Sequence, residues 1–346
     1  MSNRVMVSRC ACPSLRPTVA AAALGLVLAL GAGACGERTI TLHGAVQFSD
    51  DHPFNRTLLE FERLTKAYYG EPVEFVLHRN SELGLEKDYF AYLSQGLSVD
   101  YAIVSPAHMS TFAPSAPLMD MPFLFRDLDH WRQVLDQDMF APIAEEVAAR
   151  ADVMIIGYSG GGVRNLIVNR PVRTMADLRG LKIRVMGAPI QTETFQAMGT
   201  SPTVIAYAEV YSAIQTGVIA AAENEAQGVE QMKFYEVGPY ISETQHAITV
   251  RPIAFSGKTF RRLPEDLQAA ILRAGREAGV FGRELEASED RQRLDRLGAE
   301  GKIELVPFTD REELLRLTEP VRAAYAREVG AAEVYARVVA IGGAAP

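Results

Sequence analysis

Cysteine is scarce. The 346-residue chain has three, and only Cys35 lies beyond the first dozen positions, where Cys10 and Cys12 sit. One cysteine in the body of a chain excludes an intrachain disulfide framework and any multi-cysteine metal site there. Histidine is also thinly spread: His43, His52, His78, His108, His130 and His246 are scattered without ligand spacing. No G-x-S-x-G elbow, H-E-x-x-H or phosphate loop is expected. The paired acids Asp50-Asp51 and Glu312-Glu313 read as helix-start or surface charge. The expectation is therefore a protein with no catalytic residues, no cofactor and no metal, with a secreted enzyme acting on acidic substrates as the competing class. Positive charge is short too: 35 Lys and Arg face 43 Asp and Glu, a net −8. Residues 1–34 hold three arginines and no acid, so the remainder stands at 32 − 43 = −11. An acidic body argues against binding a nucleic-acid backbone.

Long hydrophobic runs are missing except at the start. There a basic portion (Arg4, Arg9, Arg16) leads into the apolar stretch Val19 to Leu30 and then small residues through Ala34. That order is the pattern of a secretory signal, and the stretch is shorter than a membrane-spanning helix requires. Residues 1–34 are expected to be a signal peptide, and the rest to work outside the cytoplasm. Ala32-Gly33-Ala34-Cys35 is similar to a bacterial lipobox with alanine in place of the usual leucine. Cys35 is then a candidate lipidation site, with ordinary cleavage nearby as the alternative.

What is present suits a soluble globular body: 48% hydrophobic and 23% charged residues, and enough length for two ordinary domains. Thr39 to Val46 reads as a strand, Pro53 opens a helix with Phe54, Leu58, Phe61 and Leu64 on its inner face, and Val73, Phe75 and Leu77 alternate as a second strand. Val99 to Val104 makes a third. This βαβαβ order predicts a mostly parallel sheet with right-handed crossovers. Leu118 to Phe125 reads as a buried connection, and Trp131 and Leu135 as one face of a helix. Val153 to Tyr158 and Leu166 to Val168 read as two strands separated by a bend at Gly160-Gly161-Gly162. Leu267, Ile271, Ala274, Ala278, Phe281 and Leu285 recur by threes and fours along one long helix, with Arg276, Arg283, Glu284 and Glu286 on its solvated side. Ile303 to Val306 reads as a late strand and Arg311 to Ala340 as helical.

Within this frame Leu181 to Val185 is the most informative stretch. Ile183 and Val185 alternate with Lys182 and Arg184, the pattern of a short strand, and Thr174 with Asp177 makes a capping box ahead of it. A guanidinium on a strand of a covered sheet is costly unless it meets an anion. Strand carboxyl ends are where open α/β sheets present ligands. Arg164, ahead of Leu166 to Val168, and Asn224, ending the run from Val218, occupy comparable places. The three form a candidate carboxylate clamp; the plainer reading of each arginine is a surface ion pair.

The strings Gly162-Val163-Arg164, Thr174 to Val185, Met198 to Thr203, Tyr207 to Gly217 and Glu223-Asn224 come in one order. Together they resemble the DctP-type solute receptors of tripartite ATP-independent periplasmic (TRAP) transporters, over roughly Thr39 to Val339. The resemblance implies a two-lobed periplasmic-binding-protein-like α/β fold, each lobe a mostly parallel sheet flanked by helices, with a ligand cleft between lobes and a long lobe-spanning helix. Lobe I would comprise 38–161 plus 250–289, and lobe II 162–249 plus 290–341. It implies a periplasmic receptor that binds a small organic acid and passes it to small and large membrane subunits, touching the membrane only through them or a lipid anchor. A ligand sensor, or a receptor for another system, using the same fold is the alternative. It also implies that Tyr207 packs against the ligand and that Gln47, Glu86 and Ser105 face it, although core, turn and capping roles suit these residues equally. A serine at 105, where sialic-acid-type relatives carry glutamate, argues against that substrate. Ala221-Ala222-Glu223-Asn224-Glu225 lacks the Asp-Gly and the proline that flank Glu-Asn in many relatives.

Overall fold

In a computed structural model that describes residues 39–341, nine strands share one sheet; the expected signal peptide and Cys35 lie outside the described residues. The strands are β1 (Ile40–Ala45), β2 (Val73–His78), β3 (Tyr101–Ile103), β4 (Val153–Val168), β5 (Lys182–Val185), β6 (Ser201–Val204), β7 (Ala221–Asn224), β8 (Tyr240–Ser256) and β9 (Glu304–Pro307). They lie in the order β2-β1-β3-β8-β4-β7-β5-β6, with β9 also on β8.

Two long antiparallel strands join two halves. β4 and β8 pair from Val153↔Ser256 to Val168↔Tyr240. One end of this ribbon pairs with β3, which continues through parallel β1 and β2. The other end pairs with β7 and β9, and β7 leads to parallel β5 and β6. Each half is thus mostly parallel and flanked by helices, and the architecture is two-lobed.

The glycines of β4 behave differently from the sequence expectation. They do not end one strand and begin another. The strand runs through, with a register shift between Gly160 and Val163. Gly160 and Gly161 take φ of 112° and 116°, backbone that other residues adopt at a cost. Thr249 on β8 fills the bulge, its Oγ1 accepting from the N–H groups of Gly161 (3.0 Å) and Gly162 (3.1 Å). A neighbouring run, Gly157-Tyr158-Ser159-Gly160-Gly161, has G-x-S-x-G spacing, but Ser159 is wholly buried within the strand and no helix follows it. It is not a nucleophile elbow.

The long helix, Glu265–Ala299, lies against β4 through small residues. A Cβ on Gly275 would come within 2.6 Å of the Ile156 carbonyl, and one on Gly279 within 2.7 Å of the Tyr158 carbonyl. Leu267, Ile271, Ala274 and Ala278 are buried as the pattern requires. Beyond them the buried stripe turns onto Gly282, Glu286 and Asp290, while Phe281 is exposed and Leu285 half-buried. Glu286, read from sequence as solvated, is only 2% exposed. The reason is the helix's close approach to the bulge: Glu286 Oε1 accepts from Thr249 Oγ1 at 3.2 Å. Asp290 nearby accepts from the N–H groups of Val163 (3.1 Å) and Ala226 (2.9 Å).

Burial and the neighbouring Glu225 push the Glu286 carboxyl up from 4.5 to about 8, with Asp290 adding to the rise and Arg251 opposing it. Between these values the folded protein keeps a proton that the unfolded chain has released, so this group's contribution to stability falls as pH rises. Nothing is lost below the unfolded value. Relative to the native chain, Glu286→Gln is therefore expected to gain stability between about pH 5 and about pH 8. Urea unfolding at both pH values measures the difference; an unchanged difference would mean that Glu286 is ionised throughout.

The remaining sequence expectations fall on this frame with small shifts. Trp131 and Leu135 are buried, as is the connection Leu118 to Phe125. Asp177 Oδ2 accepts from Thr174 N (3.0 Å) and Oγ1 (3.0 Å), closing the capping box before β5. Arg311 to Ala340 divides into the helices Arg311–Glu328 and Ala332–Ala340.

Candidate functional site

Several strands end at one cavity. Gln47 follows β1, Ser105 follows β3, Arg184 is the penultimate residue of β5 and Asn224 ends β7. Glu86 enters from the first position of the helix Glu86–Gln95, Arg164 from β4 and Tyr207 from the turn after β6. All seven residues singled out from sequence line this cavity. Its volume is about 30 Å³, far below the roughly 300–1,000 Å³ of a small-molecule site. The walls also touch each other: Ser105 Oγ reaches Met186 Sδ at 3.6 Å, Ser110 Oγ donates to Gly187 O at 3.3 Å, and Gln231 Nε2 donates to Ser49 Oγ at 2.6 Å. Admitting a ligand requires these walls to part.

The two sequence-selected arginines are held in opposite ways. Arg184 is 3% exposed, and its one hydrogen bond to a described residue runs from Nε to the Ile205 carbonyl at 2.9 Å. Neither terminal nitrogen has such a partner, and no carboxylate of a described residue lies within ion-pair distance. Burial lowers its pKa, with Glu223 opposing; the group remains cationic. The Tyr207 ring faces the guanidinium at 5.6 Å, and Asn224 Nδ2 donates to Tyr207 Oη at 2.7 Å. A guanidinium whose two terminal nitrogens lack acceptors among the described residues has the chemistry to bind a carboxylate in bidentate fashion.

Arg164, 4% exposed, is saturated instead. Its Nη2 donates to the carbonyl and Oε1 of Glu223, both at 2.9 Å, its Nε to Glu223 Oε2, and its Nη1 to Glu225. Burial alone would lower Arg164, but Glu223 and Glu225 outweigh it and hold it above its ordinary value. Burial would likewise raise Glu223, yet Arg164 and the hydrogen bond from His246 hold it well below the carboxylate range. His246 Nε2 sits 3.2 Å from Glu223 and Nδ1 2.8 Å from Thr244 Oγ1, so this histidine is packed and bonded.

The cavity also contains residues that sequence reading passed over. Arg251, on β8, pairs with Asp120 at 2.6 Å and holds that carboxyl, raised by burial, at about 6. Its signal was available: a guanidinium inside the apolar run Ile248 to Phe255, the criterion that selected Arg184. Phe48, Phe54 and Met186 supply apolar wall, with Phe48 edge-on to Tyr207 at 6.0 Å. Glu225 and His108 complete the lining.

Comparison with known proteins fixes the class of this site. The family DctP, described as bacterial extracellular solute-binding protein, family 7, matches residues 44–328. The chain belongs to this family. A solute-binding protein of Sulfitobacter sp. (strain NAS-14.1) is 52% identical over 301 residues, 87% of this chain and 91% of that protein. A crystal structure of a TRAP periplasmic solute-binding protein from Sulfitobacter sp. NAS-14.1, with bound α-D-taluronate, superposes with a TM-score of 0.86 at 52% identity, covering 87% of this chain and 97% of the other. Another from Pseudomonas putida F1, with bound D-glucuronate, gives 0.82 at 25% identity, covering 88% and 98%. The chain is thus an extracellular solute-binding protein and not an enzyme, and the two solved structures it matches are TRAP periplasmic solute-binding proteins holding uronates.

Proposed function

We propose that this DctP receptor captures a polyhydroxy acid bearing one carboxylate, a hexuronate or a close relative, and carries it to the small and large membrane subunits of a TRAP transporter. One observation carries the reading: among the described residues Arg184 is the cavity arginine without an acid within ion-pair distance, whereas Arg164 is matched by Glu223 and Glu225, and Arg251 by Asp120. One unmatched cation asks for one anion. The polar groups around it (Gln47, Glu86, Ser105, Asn224) suit hydroxyls, and uronates occupy the related proteins of Sulfitobacter and Pseudomonas putida.

In this proposal residues 38–161 with 250–289 form one lobe, and 162–249 with 290–341 the other. Two of the three crossings fall at the bulge, Gly160 to Val163 opposite Thr249, and the third falls within the long helix, between Glu289 and Asp290. Binding favours the closed state because Arg184 and Asn224 on one side, and Gln47 and Glu86 on the other, meet the ligand together only when the lobes close. The periplasm is the proposed site of action, with Cys35 as the acylation site that would tether the receptor to a membrane; a diacylglyceryl-sized mass addition on the mature exported chain distinguishes tethering from simple cleavage.

A thermal-shift panel tests the ligand assignment. α-D-Taluronate, D-glucuronate and D-galacturonate are expected to stabilise the protein, by about 2.7 kcal/mol at 100 times the dissociation constant. Stabilisation by simple dicarboxylates or aromatic acids, with none by uronates, would overturn it.

A further inference from the structure

His108 lines the cavity with its hydrogen-bonding capacity unused. It lies in the turn Pro106–Met109 directly after β3, where its main-chain N–H donates to Ser105 O at 3.0 Å. The imidazole is 22% exposed, and neither ring nitrogen hydrogen-bonds to a described residue. Burial, with Arg184 and Arg251 adding to it, lowers its pKa to about 4. The ring is therefore neutral at ordinary pH and offers one donor and one acceptor.

Glu86 Oε2 lies 3.9 Å from His108 Nε2. That distance is too long for a hydrogen bond, but a hydroxyl oxygen about 2.8 Å from each atom closes the gap at nearly a right angle. Glu86 is fixed for such a role: it is 4% exposed, with Gln47 Nε2 donating to Oε1 at 3.2 Å and Ser105 N–H to Oε2 at 2.6 Å. Burial raises this carboxyl's pKa, while Arg251 and the Ser105 N–H oppose the rise, and the two N–H donors present it to the cavity as an acceptor. A bridging hydroxyl would donate to Glu86 and accept from His108 Nε2–H. A carboxylate in the same place would set oxygen lone pairs against Glu86, beside an imidazole with no charge to offset them. Arg251 offers little relief, because Asp120 already matches it at 2.6 Å.

We propose that His108 is a specificity-determining residue, which with Glu86 reads a hydroxyl on the ligand end remote from Arg184 and turns away a second carboxylate. The inference rests on the uronate reading above and assigns the position at which that class is selected. Calorimetric titration with D-glucuronate, its diacid counterpart D-glucarate and the short acid glycolate tests it. The native protein is expected to prefer D-glucuronate to D-glucarate. His108→Ala should weaken D-glucuronate binding roughly ten- to a hundredfold, lowering its preference over both D-glucarate and glycolate. His108→Gln, which keeps a donor and an acceptor, should retain more of that preference, and it stands in if the alanine variant folds poorly.

Equal losses for D-glucuronate and glycolate would assign His108 a general structural role and overturn the proposal. Unchanged affinity and preference in a folded variant would overturn it while leaving the uronate reading intact. Failure of the native protein to bind any uronate would overturn both.

Discussion

Arg184→Ala is expected to weaken binding of the preferred acid by about 3–4 kcal/mol, roughly 10²- to 10³-fold. In the closed cavity this guanidinium has no acid partner, and its two terminal nitrogens no acceptor, among the described residues. The ligand carboxylate is its natural counter-ion, and removing the arginine leaves that anion desolvated with nothing opposite. Arg184→Lys keeps the charge but loses the planar fork, so it too should bind much more weakly. The same variant should behave differently without ligand. Burying an uncompensated cation is costly, so Arg184→Ala is expected to melt no lower than the native protein, and possession of a normal melting temperature with a lost ligand shift is the predicted pair of results. Calorimetry and thermal unfolding read both. Destabilisation of the free protein with retained affinity would assign Arg184 to the scaffold.

Arg164→Ala should show the reverse pattern. It removes the partner of two buried acids, Glu223 at 2% exposure and Glu225 at 2%. Leaving such charges unpaired costs about 3–5 kcal/mol of stability. Because Arg164 holds Glu223 well below its ordinary range, this contribution is present above the unfolded carboxylate value and fades as pH falls, when the acids protonate. The loss measured by urea unfolding should therefore shrink on acidification. Adding Glu223→Gln to Arg164→Ala should recover part of the stability, since one of the orphaned charges is then gone. A loss below about 1 kcal/mol at neutral pH would place the network among ordinary solvated ion pairs. The two variants are thus expected to separate experimentally: Arg184→Ala in ligand binding, Arg164→Ala in the stability of the cavity wall.

Sequence reasoning reached Arg184 because the strand's alternation put a guanidinium where a covered sheet tolerates none without an anion. It also found the helix and strand around it, since the capping box of Thr174 and Asp177 and the glycine at 180 mark their ends. It misread Glu286 for a physical reason. The long helix buries one stripe throughout, but near the bulge of β4 that stripe changes from Leu267 and Ile271 to Gly282, Glu286 and Asp290. Apolar periodicity follows Phe281 and Leu285 there, and the chain's contact with Thr249 has no signature in the helix itself. The glycines at 160–162 were visible, yet only pairing with β8 shows that they make a bulge within a continuous strand. His108 left no trace because its turn has no periodicity, and its partner across the gap, Glu86, is remote in sequence. Arg251 was legible by the rule that selected Arg184.

The central claim is that the cavity closes around an acid whose carboxylate lies on Arg184. A crystal structure of the protein with α-D-taluronate or D-glucuronate tests it most directly. The account predicts the carboxylate within hydrogen-bond distance of both terminal nitrogens of Arg184, with Arg164 still paired to Glu223 and Glu225. A carboxylate seated on Arg251 or Arg164, with Arg184 facing a hydroxyl or no ligand atom, would contradict it.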